Sequence, residues 1–155
     1  MIVLTRVDNR LIHGQVIEAW LPHLKVARIL VADDEAAHNA LMQAAMKMAV
    51  PPRTEVTITP LAKADFAKAA SDPVRTLVLI RDVRGVVEAR EHGLPPSPLN
   101  LGNVHAGAGR KPVTRAVFLS EDEVADLKKL AAQGMPVSFQ AVPVEKPLGL
   151  EALPA

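Results

Sequence analysis

The feature that most constrains the fold of this chain is the alternation of short, apolar, β-branched runs with segments of helical periodicity. The apolar runs predict buried strands at 1–7, 26–32, 55–59, 76–83, 99–104, 115–119 and 137–142. Helical segments lie between most of them. Because strand–helix–strand units close onto parallel strands with right-handed crossovers, the pattern predicts a single-domain, doubly wound α/β fold. We expect a mostly parallel sheet of about six or seven strands with helices on both faces.

Three helices carry recognisable signals. The segment 14–20 is predicted to be helical and to end before Pro22. Asp33 and Asp34 mark the start of a long amphipathic helix, whose apolar positions recur at helical spacing: Ala37, Ala40, Leu41, Ala44, Ala45 and Met48. A capping box, Ser120 with Glu123, begins the last helix, and Gly134 is its predicted C′ residue.

Composition excludes several function classes. The 155 residues suit one domain, 1–155, with a proline-punctuated tail from about 143. No apolar run approaches a membrane span and the N-terminus does not resemble a signal peptide, so a cytoplasmic, non-spanning protein is expected. A net charge of +1 and 3% aromatic residues argue against nucleic acid as a partner. Cysteine is absent and no histidine pair has metal-ligand spacing, so we expect neither a metal nor another cofactor.

In a doubly wound sheet, ligands gather beyond the carboxyl ends of the strands. Three loops are therefore the places to look for a site: 8–15, 81–84 and 103–111. The first of them brings Arg6, Asp8, Arg10 and His13 together just before a helix. A neutral imidazole can attack a phosphoryl donor, arginine pairs its planar fork with phosphate oxygens, and Asp8 could fix the imidazole tautomer or orient an arginine. On the residues alone, a solvated basic turn is the simpler alternative.

Residues 6–16 read Arg-Val-Asp-Asn-Arg-Leu-Ile-His-Gly-Gln-Val. This string is a more specific signal than the residue types alone. It closely resembles the phosphorylation-site motif of IIB components in the mannose/fructose/sorbose family of the phosphoenolpyruvate-dependent sugar phosphotransferase system. Arg-Ile-Asp-Asp-Arg-Leu-Ile-His-Gly-Gln is typical of that motif. The resemblance spans nearly the whole chain, with further matches at 100–105, 110–111, 116–119 and 142–147.

The resemblance implies a phosphocarrier. His13 would accept a phosphoryl group from a phosphohistidine on a IIA protein and pass it to a sugar entering through a IIC/IID membrane permease. The implied activity is a protein-phosphohistidine–sugar phosphotransferase (EC 2.7.1 type) with a phosphohistidine intermediate. Arg10 is expected to stabilise the transferring group. Supporting positions are Arg6, Asp8, Asn9, Gly14 and Gln15, and possible secondary positions are Arg81, Asn103 and His105.

Two departures from the family pattern bear on the site. Asn9 stands where the family often has aspartate, which removes one negative charge beside the phosphate. The loop 106–109 is Ala-Gly-Ala-Gly, small where members often carry bulkier or charged residues, so its contact with a partner or phosphate is open.

Simpler structural roles compete with several of these assignments. His105 is expected to anchor its turn, and Asp33 and its neighbours to cap a helix in preference to binding Mg²⁺. Arg81 could contact phosphate or form an ion pair at the strand end. The glycines at 102, 107 and 109 do not form a P-loop. A docking rim could include four residues, of which the last two are expected to pack inward: Leu11, Ile12, Val16 and Trp20.

Two other functions stay open at this point. The first is a regulatory phosphoprotein of the same family, whose His13 phosphorylation state a partner senses without sugar transport. The second is a flavodoxin-like small-molecule binding module. The identity of the sugar and the oligomeric state cannot be read from the sequence.

Overall fold

A computed structural model describes residues 1–154 of the chain. The strands are β1 (Ile2–Asp8), β2 (Arg28–Ala32), β3 (Glu55–Thr59), β4 (Thr76–Ile80), β5 (Leu99–Asn103), β6 (Lys111–Pro112), β7 (Phe118–Leu119) and β8 (Val137–Phe139). The helices are α1 (Leu21–Leu24), α2 (Asp34–Ala37), α3 (Ala40–Ala49), α4 (Phe66–Ser71), α5 (Val83–Glu91) and α6 (Glu121–Ala132). A π-helical turn (Val16–Trp20) leads into α1, and short 3₁₀ turns occupy Leu61–Lys63 and Leu150–Ala152.

Six strands form one sheet in the order β3-β2-β4-β1-β5-β8, and every pairing in it is parallel. Helices cover both faces. One apolar core packs the sheet against α4, α5 and α6, and a second packs the other face against α1, α3 and the π-helical turn. The predicted doubly wound α/β fold is confirmed.

The strand predicted at 115–119 does not join this sheet. Only Phe118 and Leu119 pair, with β6, in a separate two-stranded antiparallel ribbon. A single bridge between Val104 and Val117 links that ribbon to the end of β5. The physical reason is that β8 already occupies the free edge of β5.

The first helix passes through Pro22, where the sequence predicts a stop. The wider π-helical turn moves the backbone bonding so that Leu21 N–H donates to the carbonyl of Val16. Pro22 then lies in the first turn of α1, the part of a helix that tolerates proline best. A π-helical turn is frequent at functional sites, and this one begins three residues after His13.

The long helix predicted after Asp33 is broken into two. His38 ends α2, and the side chain of Asn39 accepts a bond from Met42 N–H and starts α3 as a new N-cap. The break rotates α3 so that much of its apolar stripe faces outward: Leu41 is 82% exposed and Met48 is 87% exposed. By contrast, α6 has the predicted capping box and the predicted glycine with positive φ after its end.

The winding of the chain reverses at the centre of the sheet. From β1 the chain crosses to β2 on one side, and from β4 it crosses to β5 on the other. Val7 lies in register with Ile80 of β4 and with Leu101 of β5, so the three strands end at the same level. The loops that follow these strands therefore meet at one edge, which is where a doubly wound fold places its site.

Candidate active site

The loop between β1 and the first helix is a tight turn with a left-handed residue. Leu11 N–H donates to the carbonyl of Asp8 over 3.0 Å, and Leu11 itself has φ = 56°. For a non-glycine residue this conformation costs about 1–2 kcal/mol. The Leu11 side chain is only 2% exposed, and its packing in the core stabilises the turn. The turn returns the chain so that His13 lies above the end of β1.

His13 is oriented by a buried carboxylate. Its Nε2 atom lies 2.7 Å from Oδ2 of Asp8, and its side chain is 14% exposed while that of Asp8 is fully buried. An ionised carboxylate can only accept, so Nε2 carries the proton in this contact. The lone pair of the neutral ring is then on Nδ1.

Asp8 is held as an anion by the groups around it. Its Oδ2 also accepts from Nε and Nη2 of Arg6, at 3.2 and 3.1 Å, and from Nδ2 of Asn103 at 2.9 Å. Its Oδ1 accepts from the backbone N–H of Arg10 at 3.0 Å. Burial raises the pKa of Asp8, but the hydrogen bond from His13, the charge of Arg6 and the bond from Asn103 outweigh it. The net pKa of Asp8 is below its usual value.

Arg6 is the structural centre of the site and is completely buried. Besides Asp8, its guanidinium donates to Oδ1 of Asn100 (2.6 Å), Oε1 of Gln15 (2.9 Å) and the carbonyls of Gln140 (3.2 Å) and Ala141 (3.1 Å). Nη1 makes two hydrogen bonds and Nη2 makes three, including the one to Asp8, so no donor is free for a ligand. Burial lowers the pKa of Arg6, opposed by its charge pairing and hydrogen bonding with Asp8. The sequence suggested Arg6 near a phosphate; the structure places it beneath Asp8, which it fixes in place.

Space for this guanidinium is made by a glycine in β5. A Cβ built on Gly102 would lie 2.0 Å from Cζ of Arg6 and 2.2 Å from Nη2, far inside van der Waals contact. On its other side, Arg6 lies 5.0 Å from the ring centroid of Trp20, whose indole N–H donates to the carbonyl of Ala141.

The side-chain amides of Gln15 and Asn103 complete the hydrogen-bond network around Asp8 and Arg6. Oε1 of Gln15 accepts from both Arg6 and Nδ2 of Asn103, and Asn103 lies in register with Asp8 on the adjacent strand. Arg6, Asp8, His13, Gln15 and Asn103 therefore form one connected cluster. The predicted secondary position Asn103 is part of this cluster through a direct bond to Asp8.

Arg10 differs from Arg6 in its exposure and in the bonding of its side chain. Its backbone is bound to Asp8, but its side chain is exposed and forms no hydrogen bond or ion pair within residues 1–154. It lines an open cavity of about 390 Å³ between the loop and α3.

The backbone after His13 has free donors. Gly14 is exposed, with nothing within 4 Å of a Cβ built on it. The N–H groups of Gly14 and Gln15 bond to no backbone or side-chain acceptor in the described chain. This edge of the loop presents unsatisfied donors to an anion.

The remaining predicted positions lie around this cluster. Arg81 pairs with both oxygens of Asp33, at 3.0 and 2.8 Å, and its Nη1 reaches the carbonyl of Asn9 at 3.4 Å. The structure thus supports the ion-pair interpretation for Arg81. Asp33 also accepts from Ala36 N–H and caps α2, as predicted. No group of three or more potential metal ligands is found among residues 1–154.

Two expectations are wrong. The ring of His105 is exposed and bonds to nothing within residues 1–154; its backbone carbonyl, which accepts from Arg110, is what holds the turn. Leu11 and Ile12, expected at a docking rim, are buried at 2% and 6% exposure, whereas Val16 and Trp20 pack inward as expected. Leu11 and Ile12 join the apolar core that packs between the sheet and α3, with the left-handed turn at Leu11.

Sequence reasoning missed the residues that hold Arg6: Asn100, Gly102, Gln140 and Ala141. For the first two a signal existed, since a polar residue and a glycine inside an otherwise buried strand indicate a close approach by another group. No sequence signal marks a backbone carbonyl at 140 or 141 as an acceptor.

The fold and the site together define a class: a doubly wound α/β protein with a histidine at the point where its winding reverses. A buried carboxylate orients that histidine, and an exposed arginine lies beside it. Residues 2–153 match the family "PTS system sorbose subfamily IIB component". The chain belongs to this family of IIB components of the sugar phosphotransferase system.

Individual relatives agree with the family match. The chain is 31% identical over 144 residues to the sorbose-specific EIIB component of Lacticaseibacillus casei, covering 92% of this chain and 88% of that protein. It is 28% identical over 152 residues to the mannose-specific EIIAB component of Escherichia coli K12, covering 96% of this chain but only 46% of that longer protein. The crystal structure of the N-acetylgalactosamine-specific IIB component 1 from Escherichia coli superposes with a TM-score of 0.87 at 26% identity, over 95% of this chain and 97% of that one.

The function of the family is therefore that of this chain: a phosphocarrier in sugar uptake. A purely regulatory role is not favoured, because the relatives are components of sugar phosphotransferase systems. Within residues 1–154 no helix combines the length and apolar character needed to cross a bilayer.

Proposed function

We propose that Nδ1 of His13 is the atom that carries the phosphoryl group. The observation that supports this most strongly is the 2.7 Å contact between Nε2 of His13 and the buried carboxylate of Asp8. With Asp8 ionised, this contact favours the tautomer that carries its proton on Nε2 and its lone pair on Nδ1, which supports Nδ1 as the nucleophile. It also holds the ring so that the nucleophile does not have to be oriented at the moment of transfer.

In the first step, the Nδ1 lone pair attacks the phosphorus of a phosphohistidine on a IIA protein. The new P–Nδ1 bond forms as the P–N bond of the donor breaks, and its electron pair returns to the donor imidazole. The ring of His13 keeps its Nε2 proton and therefore gains a positive charge. The carboxylate of Asp8, already ionised by its neighbours, balances that charge.

Arg10 is proposed to stabilise the transferring group. Its guanidinium is exposed and free of partners within the described residues, so its fork is available to phosphoryl oxygens. The free N–H groups of Gly14 and Gln15 add donors on the same edge. Asn9 is an amide where the family often has a carboxylate, so position 9 does not repel the incoming phosphate. Hydrogen-bond donors that are already positioned where negative charge develops account for much of the rate enhancement in group transfer.

In the second step, a sugar hydroxyl at a IIC/IID permease attacks the phosphorus. The P–Nδ1 bond breaks, its electron pair returns neutral His13, and the hydroxyl proton passes to a base at the sugar site. This sequence is a phosphohistidine–sugar phosphotransferase of the EC 2.7.1 type, and we propose that it operates at the cytoplasmic face. The relatives are named for different sugars, so the sugar of this chain is left unassigned.

The test is transfer of labelled phosphate from phosphoenolpyruvate through the general phosphotransferase proteins and a IIA donor. Wild type should acquire acid-labile label, and His13→Ala should acquire none. His105→Ala is the matched control, because its exposed ring forms no bond within residues 1–154, and it should label normally. Label that persists in His13→Ala, or that is absent from wild type with a competent donor, would overturn the proposal.

A further inference from the structure

Large apolar side chains are exposed on the face of α3 beside the site. Leu41 and Met48 lie seven residues apart on α3, which places them on the same helix face, and they are 82% and 87% exposed. Ala44 and Ala45, between them, are exposed as well. We call these four residues, with Arg10 and Lys47, the α3 surface.

The α3 surface is continuous with the phosphorylation loop. The cavity of about 390 Å³ beside Arg10 is lined on one side by Asn9, Leu11 and Ile12 of the loop, and on the other by Met42, Ala45 and Met46 of α3. Arg81, which bonds to the Asn9 carbonyl, completes the wall. A molecule that covers α3 would therefore also reach Arg10.

The charged residues of the α3 surface itself, Arg10 and Lys47, are both cations. Residues 36–54 contain no aspartate or glutamate, while Lys47 and Arg53 are exposed cations, and the loop adds Arg10. The exposed acids that flank this stretch in the sequence are Asp34 and Glu35 in α2 and Glu55 at the start of β3, and Glu35 lies 3.3 Å from Arg81. Two copies of this chain meeting through the same face would oppose like charges, which disfavours self-association.

We propose that the α3 surface is the docking face for the phosphoryl donor protein, and that the donor presents an apolar patch with an acidic rim around its phosphohistidine. This rests on the proposed function, because transfer between two protein-borne histidines requires the donor to contact the chain beside His13. The exposed Leu41 and Met48 supply the apolar anchors of that contact. Arg10 and Lys47 attract the acidic rim and the phosphate dianion.

The test is a double variant, Leu41→Gln with Met48→Gln, which keeps helix-forming residues on a solvent-exposed face and should leave stability unchanged. Initial rates of phosphoryl transfer are measured against the concentration of phosphorylated donor. We expect KM for the donor to rise at least tenfold, on the order expected for losing apolar anchors at an interface, with the rate at saturation kept. The matched control is Leu150→Gln, a half-exposed apolar residue in the tail, for which KM should not change.

An unchanged KM in the double variant would overturn the proposal while leaving labelling at His13 intact, which separates it from the proposed function. Two other occupants would also overturn it. A concentration-dependent dimer of the wild type that the double variant abolishes would assign the surface to a second copy. Cosedimentation of wild type, but not the variant, with anionic lipid vesicles would assign it to a membrane.

Discussion

Asp8 has two roles. It orients His13 through Nε2, and it neutralises the charge of Arg6 within the core. The two roles depend on each other, because the charge of Arg6 and the bond from His13 together keep the carboxylate ionised. An ionised Asp8 is what makes Nδ1 the free nitrogen. The chemistry of the site therefore depends on a buried arginine whose donors all bond within the protein.

Arg10→Ala should slow phosphoryl transfer by about a hundredfold, the scale seen when one donor to a developing charge is removed. Stability should stay within about 0.5 kcal/mol, because the side chain is exposed and only the backbone N–H of Arg10 bonds to Asp8. Rapid-quench transfer assays and urea unfolding measure the two effects. Arg115→Ala removes an exposed arginine elsewhere and should change neither. Wild-type transfer by Arg10→Ala would remove Arg10 from the mechanism.

Gly102→Ala should destabilise the protein by about 1–3 kcal/mol, because the new Cβ would overlap the Arg6 guanidinium. Arg6 cannot adopt another rotamer without breaking its hydrogen bonds. Transfer should slow as well, because a displaced Arg6 no longer holds Asp8 against His13. Urea unfolding gives the first result and the labelling assay the second. Gly14→Ala is the matched control, with nothing near its Cβ, and should keep its stability. A Gly102→Ala protein as stable as wild type would contradict the geometry.

At the scale of elements, the sequence predicts best where local signals and burial agree. The central strands and α6 follow from continuous apolar runs and a capping box, and each lies within a few residues of its predicted place. The α2–α3 break and the passage of the first helix through Pro22 were missed. In the first, a single Asn39 cap competes with a longer helical pattern; in the second, a π-helical turn alters the bonding that makes proline a helix breaker.

An element junction away from the site offers a test by pH. Arg28 on β2 pairs with both oxygens of Asp72 after α4, at 2.8 and 2.9 Å, and these bonds lower the pKa of Asp72 to about 2. A carboxyl with a lowered folded pKa stabilises the protein above its unfolded pKa of about 4, and that contribution is lost as pH falls through the folded value.

Wild type should therefore exceed Asp72→Asn in the free energy of unfolding by a constant amount from pH 7 to about pH 4, with the difference shrinking below that. Urea titrations at several pH values measure it, and the carboxyl ¹³C shift of Asp72 gives the midpoint directly. Glu121→Gln, an exposed carboxyl with no ion pair within residues 1–154, is the control. A difference that persists undiminished to pH 2, or a midpoint near 4 for Asp72, would contradict the ion pair.

At the scale of the whole molecule, the sheet order decides where the site is. With β1 between β4 and β5, the loop carrying His13 lies between the ends of the strands that bear Arg81 and Asn103. The sequence motif located His13, Arg10, Asp8 and Gln15, because they are contiguous. It could not locate Gln140 and Ala141, whose carbonyls reach the site only because β8 pairs with β5.

The shallow position of His13 fits a carrier that must meet two partners in turn. Its side chain is 14% exposed, as the proposed transfer from a donor protein to a sugar requires. The carboxylate of Asp8 and the guanidinium of Arg6 beneath it are fully buried.

The most direct test of this account is the identity of the phosphorylated atom. The protein, labelled with ¹⁵N in its histidines, is phosphorylated through the donor chain and followed by ³¹P and long-range ¹H–¹⁵N NMR. We predict one phosphohistidine, bonded through Nδ1 of His13, with the proton on Nε2. A phosphoryl group on Nε2 of His13, or on any of His23, His38, His92 and His105, would contradict it.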